Sequence, residues 1–531
     1  MPAPAVPRKR PPGARLLAAL PALVLFLAQS CGSRTGLKGR TYGPSLEGGA
    51  IAGCLGDLDC GLPDLCAPAR CVDGACVYAA KVTCDDGDAC TEDSCDPETG
   101  ACTFTPVSLD EDGDGHRGPR PGYAASDSGA CGDDCDDTSP LAYPGGTETC
   151  DGVDNDCNGV VDDGAGYVPT SLSPLLVSSG AEQAGVGGLA FGDSVFGVTF
   201  SAKTDGWHQQ FSAFDENGNI VVPSTELTHQ NTDAFTGPLA WTGKVFGTAW
   251  EDRRDDDFEI YFNRLNSQGE KLAADLRVTN APNFSLRPDV LWDGAEFIVV
   301  WSDRRDGDSS GRIYGQRISV DGKLVGENVP LTPPDADADA PGIAQGVTEL
   351  GLVYNQPAAS GREIVFRTVS PDLSVLGLPV VLSGGDAASS AIVWSGDRYV
   401  VAWDTESAFP GPAIYGAAVA ADGATLVQAR PITDAADFAR SEALLPFGDR
   451  LLLAWAEYQG SAYVIQTKMI DRSLGELTPK ARVTDGTSDA VSPALAIGPT
   501  GAVAVAFEGL QTGVFQVYAT SLSCSPAGVR N

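Results

Sequence analysis

The chain has 531 residues and carries 71 acidic against 35 basic side chains, a formal charge of -36. Its length allows several domains and at least one sizeable core. The charge excludes nucleic acid and anionic lipid as partners, because both need a positive face, and leaves cation binding or plain solubility.

Arg8, Lys9, Arg10 and Arg15 flank an apolar run from Leu16 to Ala28. That run is too short to span a bilayer as a mature helix, which needs about 20 residues. Residues 1–30 therefore read as an export signal and are set aside from fold reasoning. The run ends in Ala28-Gln29-Ser30-Cys31-Gly32, which resembles the bacterial lipobox, although that motif prefers Leu where Ala28 stands. The resemblance implies acylation at Cys31 and an exported lipoprotein of the outer membrane or cell surface, touching the membrane through its lipid alone. Ordinary cleavage after Ser30, giving a fully secreted protein, is the alternative. Residues 31–53 are rich in Gly, Ser and Arg without an apolar period and read as a flexible tether.

Cysteines dominate residues 54–106. Setting Cys31 aside leaves 14 of the 15, an even number, as disulfides in an oxidising compartment require. Cys60, Cys66, Cys71 and Cys76 form one set of four, and Cys84, Cys90, Cys95 and Cys102 a second set with similar spacing. The pattern predicts a duplicated four-cysteine module with almost no apolar core, stabilised by disulfides. Zinc is disfavoured, since no C-x2-C or C-x3-C pair and no His lies between Cys54 and Cys102. Cys54 and Cys524 are left over, which suggests a bridge between them.

Residues 107–166 form an acidic segment. From 108 to 164 there are fifteen Asp and Glu against Arg117 and Arg120 only. Asp110, Asp112 and Asp114 alternate before Gly115; Asp154, Asp156 and Asn158 alternate before Gly159, Val160 and Asp162. The second run follows the first nine positions of an EF-hand-type loop. There, alternating oxygens converge on a hard cation, the glycine makes the sharp turn and the next carbonyl adds a ligand. Ala165 stands where such loops carry a closing Glu, so Asp133, Asp134, Asp136 and Asp137 are candidate donors. Cys131, Cys135, Cys150 and Cys157 argue against a disordered acidic linker, because disulfides need fixed geometry.

The stretch Cys135-Asp136-Asp137-Thr138-Ser139-Pro140, then Tyr143-Pro144-Gly145-Gly146, Glu148 and Cys150-Asp151-Gly152-Val153-Asp154-Asn155-Asp156-Cys157 resembles the MopE-type metal-binding repeat of bacterial, notably myxobacterial, surface proteins. The module before it, Cys84-Asp85-Asp86-Gly87 through Cys95-Asp96-Pro97, looks like another repeat of the same proteins. The resemblance implies a surface location and a bound metal. Copper, from which that family takes its name, prefers His or sulfur, and only His116 lies in the region. Calcium is the expected ion, and its occupancy is expected to matter to this stem and not to the domain beyond it.

From 167 to 526 the language is all-β. A strand of small and apolar residues ending in an aromatic recurs seven times, at Phe200, Trp250, Trp301, Tyr354, Trp403, Trp455 and Phe507. Its period of about 50 residues predicts four-stranded propeller blades. In five copies Phe191, Trp241, Trp292, Trp394 or Pro446 stands nine residues earlier and marks the preceding strand. The chain ends one strand short of a seventh blade, so residues 171–179 are expected to supply it and close the ring. The predicted fold is mainly β: a seven-bladed propeller preceded by a small disulfide-rich, calcium-loop stem.

Trp250-Glu251-Asp252-Arg253-Arg254-Asp255 and Trp301-Ser302-Asp303-Arg304-Arg305-Asp306 could grip an acidic sugar. Their equivalent places in successive blades favour an inter-blade turn and salt-bridge element instead. No catalytic residue is assigned, and the protein is expected not to be an enzyme. The stem is expected to present the propeller to an extracellular glycan or protein. The alternative is a lipid-anchored hydrolase acting on carbohydrate through acids in the propeller mouth, which a cluster of buried acids with raised pKa would favour.

Overall fold

In the computed structural model the described residues run from 51 to 526, apart from 62–63, 109, 128, 152, 161, 163–164, 172, 230–232, 236, 308–310, 376 and 407–410. The export signal, Cys31 and most of the tether lie outside the described residues. Two compact units are present: one runs to Gly87 and resumes over Asp93–Thr105, and the other comprises Asp88–Glu92 and everything from Pro106.

The first unit has little apolar core, and sulfur takes its place. Ile51–Ala52, Ala69–Val72 and Ala75–Tyr78 form a three-stranded sheet with the last of these in the middle. Cys54, Cys60 and Cys76 are buried against it. The bridges are Cys54–Cys71, Cys60–Cys76, Cys66–Cys95 and Cys84–Cys102. The two cysteine repeats are therefore not separate modules: Cys66 reaches from the first set to the second, and Cys90 leaves to pair with Cys131. The expected Cys54–Cys524 bridge is also corrected, since Cys524 pairs with Cys150. All fourteen described cysteines are oxidised, seven bridges in all. Such bridges persist in an oxidising compartment outside the cytoplasm.

The second unit contains a seven-bladed propeller, each blade an antiparallel sheet of four or five strands. The first strands of successive blades pack against one another around the axis, for example Ser285–Trp292 against Asp339–Gln345, and Ala387–Trp394 against Ala439–Phe447. The recurring aromatic lies within the second strand of each blade. Trp250, Trp301, Trp403, Trp455, Tyr354, Phe200 and Phe507 are all 2 % exposed or less. One large side chain per blade at one depth gives each interface the same wedge, and the burial of these rings adds to the hydrophobic term that holds the fold.

Ring closure differs in detail from the sequence expectation. The outer strand of the last blade is Ala165–Pro169, paired with Gln516–Pro526 in the register Leu522 opposite Pro169 and Cys524 opposite Tyr167. Leu175–Leu176 adds a short second pairing at Tyr518–Ala519. The closing strand thus starts directly after the acidic segment and not at residue 171. Among the described residues no helix is long and apolar enough to cross a membrane.

Candidate metal centre

The two acidic loops fold alike because each side-chain carboxylate or amide captures backbone N–H groups two to five residues ahead of it. Asp110 accepts from the N–H of Gly113 (2.7 Å) and Gly115 (3.1 Å), and Asp154 from Asn158 (3.1 Å) and Gly159 (2.7 Å). Asp112 accepts from Asp114 and Asp156 from Asn158, both at 3.1 Å. Asp114 accepts from His116 (2.7 Å) and Asn158 from Val160 (2.8 Å). The fourth and sixth loop positions are left-handed in both, at Gly113 (φ 84) and Gly115 (φ 101), and at Cys157 (φ 58) and Gly159 (φ 92). This is the winding that turns alternate oxygens inward on a hard cation.

One oxygen from each of Asp110, Asp112 and Asp114 lies within 4.8 Å of the others, and so does one from each of Glu148, Asp154 and Asp156. Glu148 was missed by the sequence reading. It is buried, and its Oε1 accepts the N–H of Asp156 at 2.8 Å. Its segment is pinned on the loop by Tyr143 N–H to Asn155 O (3.0 Å) and Gly145 N–H to Asp156 O (3.1 Å). A signal existed in the glutamate just ahead of the Cys150-Asp151 turn.

Asp162, expected as a ligand, does not join that group. It is fully buried, and Arg450 Nη1 of the sixth blade donates to its Oδ2 at 2.7 Å. Val160 follows the loop glycine with its side chain exposed. The four candidate donors separate. Asp133 pairs with His116 at 3.5 Å, and Asp136 accepts from Thr138 Oγ1 at 2.6 Å within its own turn. Asp134 and Asp137 face the first loop: Asp134 N–H donates to Arg117 O (3.1 Å), and Asp137 Oδ1 accepts the N–H of Glu111 (3.0 Å). Burial pushes the Asp134 carboxyl above the usual carboxylate range, the N–H of Asp136 opposes this, and the charges of Asp114, Asp112 and Asp137 add to it.

The donors are oxygens, and the sulfurs of Cys135 and Cys157 beside Asp134 are consumed in a disulfide. The set therefore fits a hard, oxygen-seeking cation and offers no thiolate. The segment is bolted to the propeller by the Cys150–Cys524 disulfide, the Asp162–Arg450 pair and the strand Ala165–Pro169, whose Tyr167 carbonyl accepts from Thr467 Oγ1 at 2.8 Å. The second loop and the closing strand follow one another directly along the chain.

The Arg-rich motifs are structural. Asp252 and Asp303 accept the indole N–H of Trp250 (3.1 Å) and Trp301 (2.8 Å), and pair with Arg254 and Arg305. Those guanidinium groups lie over Tyr261 and Tyr314 of the same blade, while Glu251 accepts the N–H of Arg287 and Ser302 Oγ donates to Asp339 of the next blade, both at 2.6 Å, so the element works within blades and between them. On the innermost strands, bulges end in Pro288, Pro341 and Pro493, whereas Ser389 and Glu442 hold that place in the fifth and sixth blades. Ser389 Oγ lies 2.9 Å from Asp404 Oδ1 and 3.4 Å from both carboxyl oxygens of Glu442. Burial pushes Glu442 well above the usual range, and the charge of Asp404 adds to the effect.

Residues 134–163 match the Cu-binding MopE family model, described as "Putative metal-binding motif", and residues 83–107 match one described as "Dictyostelium (slime mold) repeat". No curated protein matches the chain. Among solved structures, the β-propeller domain of the Trilobed protease from Pyrococcus furiosus is similar at 8% identity and a TM-score of 0.41, over 64% of this chain and 96% of that one. The endo-arabinase from Bacteroides thetaiotaomicron is similar at 11% identity and a TM-score of 0.32, over 52% and 89%. A puromycin-hydrolyzing peptidase from Mycobacterium tuberculosis is similar at 14% identity and a TM-score of 0.40, over 66% of this chain; the chain spans about half of that peptidase, 55%. At these identities the likeness shows the fold alone and assigns no activity. The expectation that the protein is not an enzyme is withdrawn: the similar propellers include those of peptidases and an endo-arabinase, and the fold by itself excludes no activity.

Proposed function

We propose that this is an exported surface protein whose acidic segment binds calcium and thereby fixes the base of a β-propeller that engages an extracellular glycan or protein. The observation that carries the reading is the second loop: Glu148, Asp154 and Asp156 converge there, and the same chain continues into the strand that closes the ring. Calcium suits the all-oxygen donors and tolerates an irregular shell better than magnesium does. Calorimetric titration of calcium into the chelator-stripped chain tests it, with copper and magnesium as controls. Saturable binding of calcium is expected; no binding at millimolar calcium sinks the reading. Anchorage through a lipid on Cys31 is part of the proposal, and mass spectrometry of the N-terminal peptide from the membrane fraction checks it. An unmodified mature N-terminus there would point to full secretion.

A second reading, hydrolysis of carbohydrate at the propeller mouth, has one observation in its favour. Glu442 and Asp404 share the hydroxyl of Ser389, and burial pushes the Glu442 carboxyl well above the usual range beside the charge of Asp404. That is the arrangement an acid–base pair needs. Turnover of a polysaccharide panel by the wild type, abolished in E442Q, would establish it. Equal turnover by both would remove Glu442 from the account.

A further inference from the structure

We infer that the acidic segment holds two cations, and that the second site is a composite in which Asp110, Asp112 and Asp114 of the first loop are closed by Asp134 and Asp137 from the chain that crosses it. The inference rests on reading the segment as a calcium binder and deepens it, because the first loop lies outside the residues that match the metal-binding motif.

Counted from Asp110, the first loop lacks side-chain ligands at its ninth and twelfth positions, where Gly118 and Pro121 stand. Both gaps are met from residues 132–137. A Cβ on Gly118 would lie 2.6 Å from Asp137 Oδ2, so the Asp137 carboxylate occupies the room a ninth-position side chain would take. A Cβ on Gly132 would overlap the carbonyls of Arg117 and Gly118, so only glycine lets the two backbones approach this closely. The approach delivers Asp134 beside the loop, its N–H bonded to Arg117 O at 3.1 Å.

Asp134 is the independent witness. It is 0 % exposed; its Oδ1 accepts from the N–H of Asp136 at 2.8 Å, and its Oδ2 is buried with no hydrogen-bond partner. Asp112 Oδ2 and Asp114 Oδ2 are buried and orphaned in the same way. Buried carboxylate oxygens are almost always satisfied. His116 pairs with Asp133 at 3.5 Å. Three orphaned oxygens on mutually repelling acids, with Asp110 converging on two of them and Asp137 packed against Gly118, are what a divalent cation requires and what a solvated acidic surface does not build.

The test is stoichiometry. Calcium is titrated calorimetrically into the chelator-stripped, disulfide-bonded full chain, and two equivalents are expected. D134N and D110N should each abolish the same equivalent, so the double variant loses no more than either alone, while E148Q abolishes the other. Asp110 is exposed, so D110N decides the matter if D134N does not fold. Mapping of the Cys90–Cys131 and Cys135–Cys157 bridges shows whether it has. A single wild-type equivalent, lost in E148Q and kept in D134N and D110N, overturns the composite site and leaves the calcium reading standing. No equivalent at millimolar calcium overturns both.

Discussion

The acidic segment and the propeller sit in one compact unit and are stabilised by opposite physics. The ring repeats one buried aromatic per blade, with small residues around it, so hydrophobic burial and dispersion hold it and its chemistry is dispensable to its shape. The segment buries almost nothing apolar: its fixed points are Ala130, Ala142, Cys150 and acids such as Asp134 and Glu148. Its backbone is satisfied by carboxylates, its loops are closed by sulfur, and some of its buried oxygens are left without protein partners. The ring is held by its own burial, whereas the segment depends on its disulfides and, as proposed above, on a cation.

The largest effect that sharpens this contrast is a core truncation. W301A removes a fully buried indole and should cost about 4 kcal/mol in chemical denaturation, with calcium making no difference to the loss. Next comes the joint between the regions. D162N strips the charge that faces Arg450, which is itself largely buried, and should cost about 3 kcal/mol because a buried guanidinium loses its counter-charge. A cost under about 0.5 kcal/mol, the range of ordinary surface changes, would mean that the pair is decorative and the disulfide alone makes the joint. Third, calcium at a hundredfold excess over its dissociation constant should stabilise by about 2.7 kcal/mol. Hydrogen exchange should place that protection in Ala165–Pro169 and Gln516–Pro526 and leave the third and fourth blades unchanged. Uniform slowing around the ring would show the blades to be one cooperative block; no slowing in the last blade would restore a mechanically separate stem.

Periodicity made the blades legible. Seven aromatics at a near-constant interval mark the second strands, and in five blades the preceding strand could be placed from the residue nine earlier. The role of Asp252 and Asp303 was also open to reading. Residues two apart on a strand share a face, which puts each carboxylate under the indole N–H of Trp250 or Trp301. What was not legible is spatial. Cys90–Cys131 and Cys66–Cys95 cross the repeat that spacing had marked, because four or more cysteines admit many pairings. The sorting of Asp133, Asp134, Asp136 and Asp137 depends on where Gly132 lets the chain cross the first loop. The closing strand was placed too late because Ala165, read as a failed loop position, is buried as the first residue of the outer strand.

The smallest effect separates the two kinds of buried acid. Asp289, on the innermost strand of the third blade, accepts from the N–H of Val290 (2.8 Å) and, across the blade interface, of Ile343 (2.9 Å). Burial pushes its carboxyl up to about 6 although both N–H groups favour the charge. An acid whose pKa is raised on folding binds its proton more tightly in the folded state, so its contribution is full below the unfolded value near 3.8 and is lost as pH rises through about 6. Wild type should therefore lose of order 1–2 kcal/mol relative to D289N between pH 4 and pH 7, and the difference should be flat above that. Asp289 keeps some contact with solvent, which is why the figure is smaller than the full shift would give. The decisive comparison is with calcium present: the Asp289 slope should not change, because no cation is involved, whereas the acid stretch around Asp134 should lose its own pH dependence once a positive charge stands among the carboxylates. A calcium-sensitive Asp289 slope would mean that the segment and the ring share a single titrating network and that the contrast between them is false.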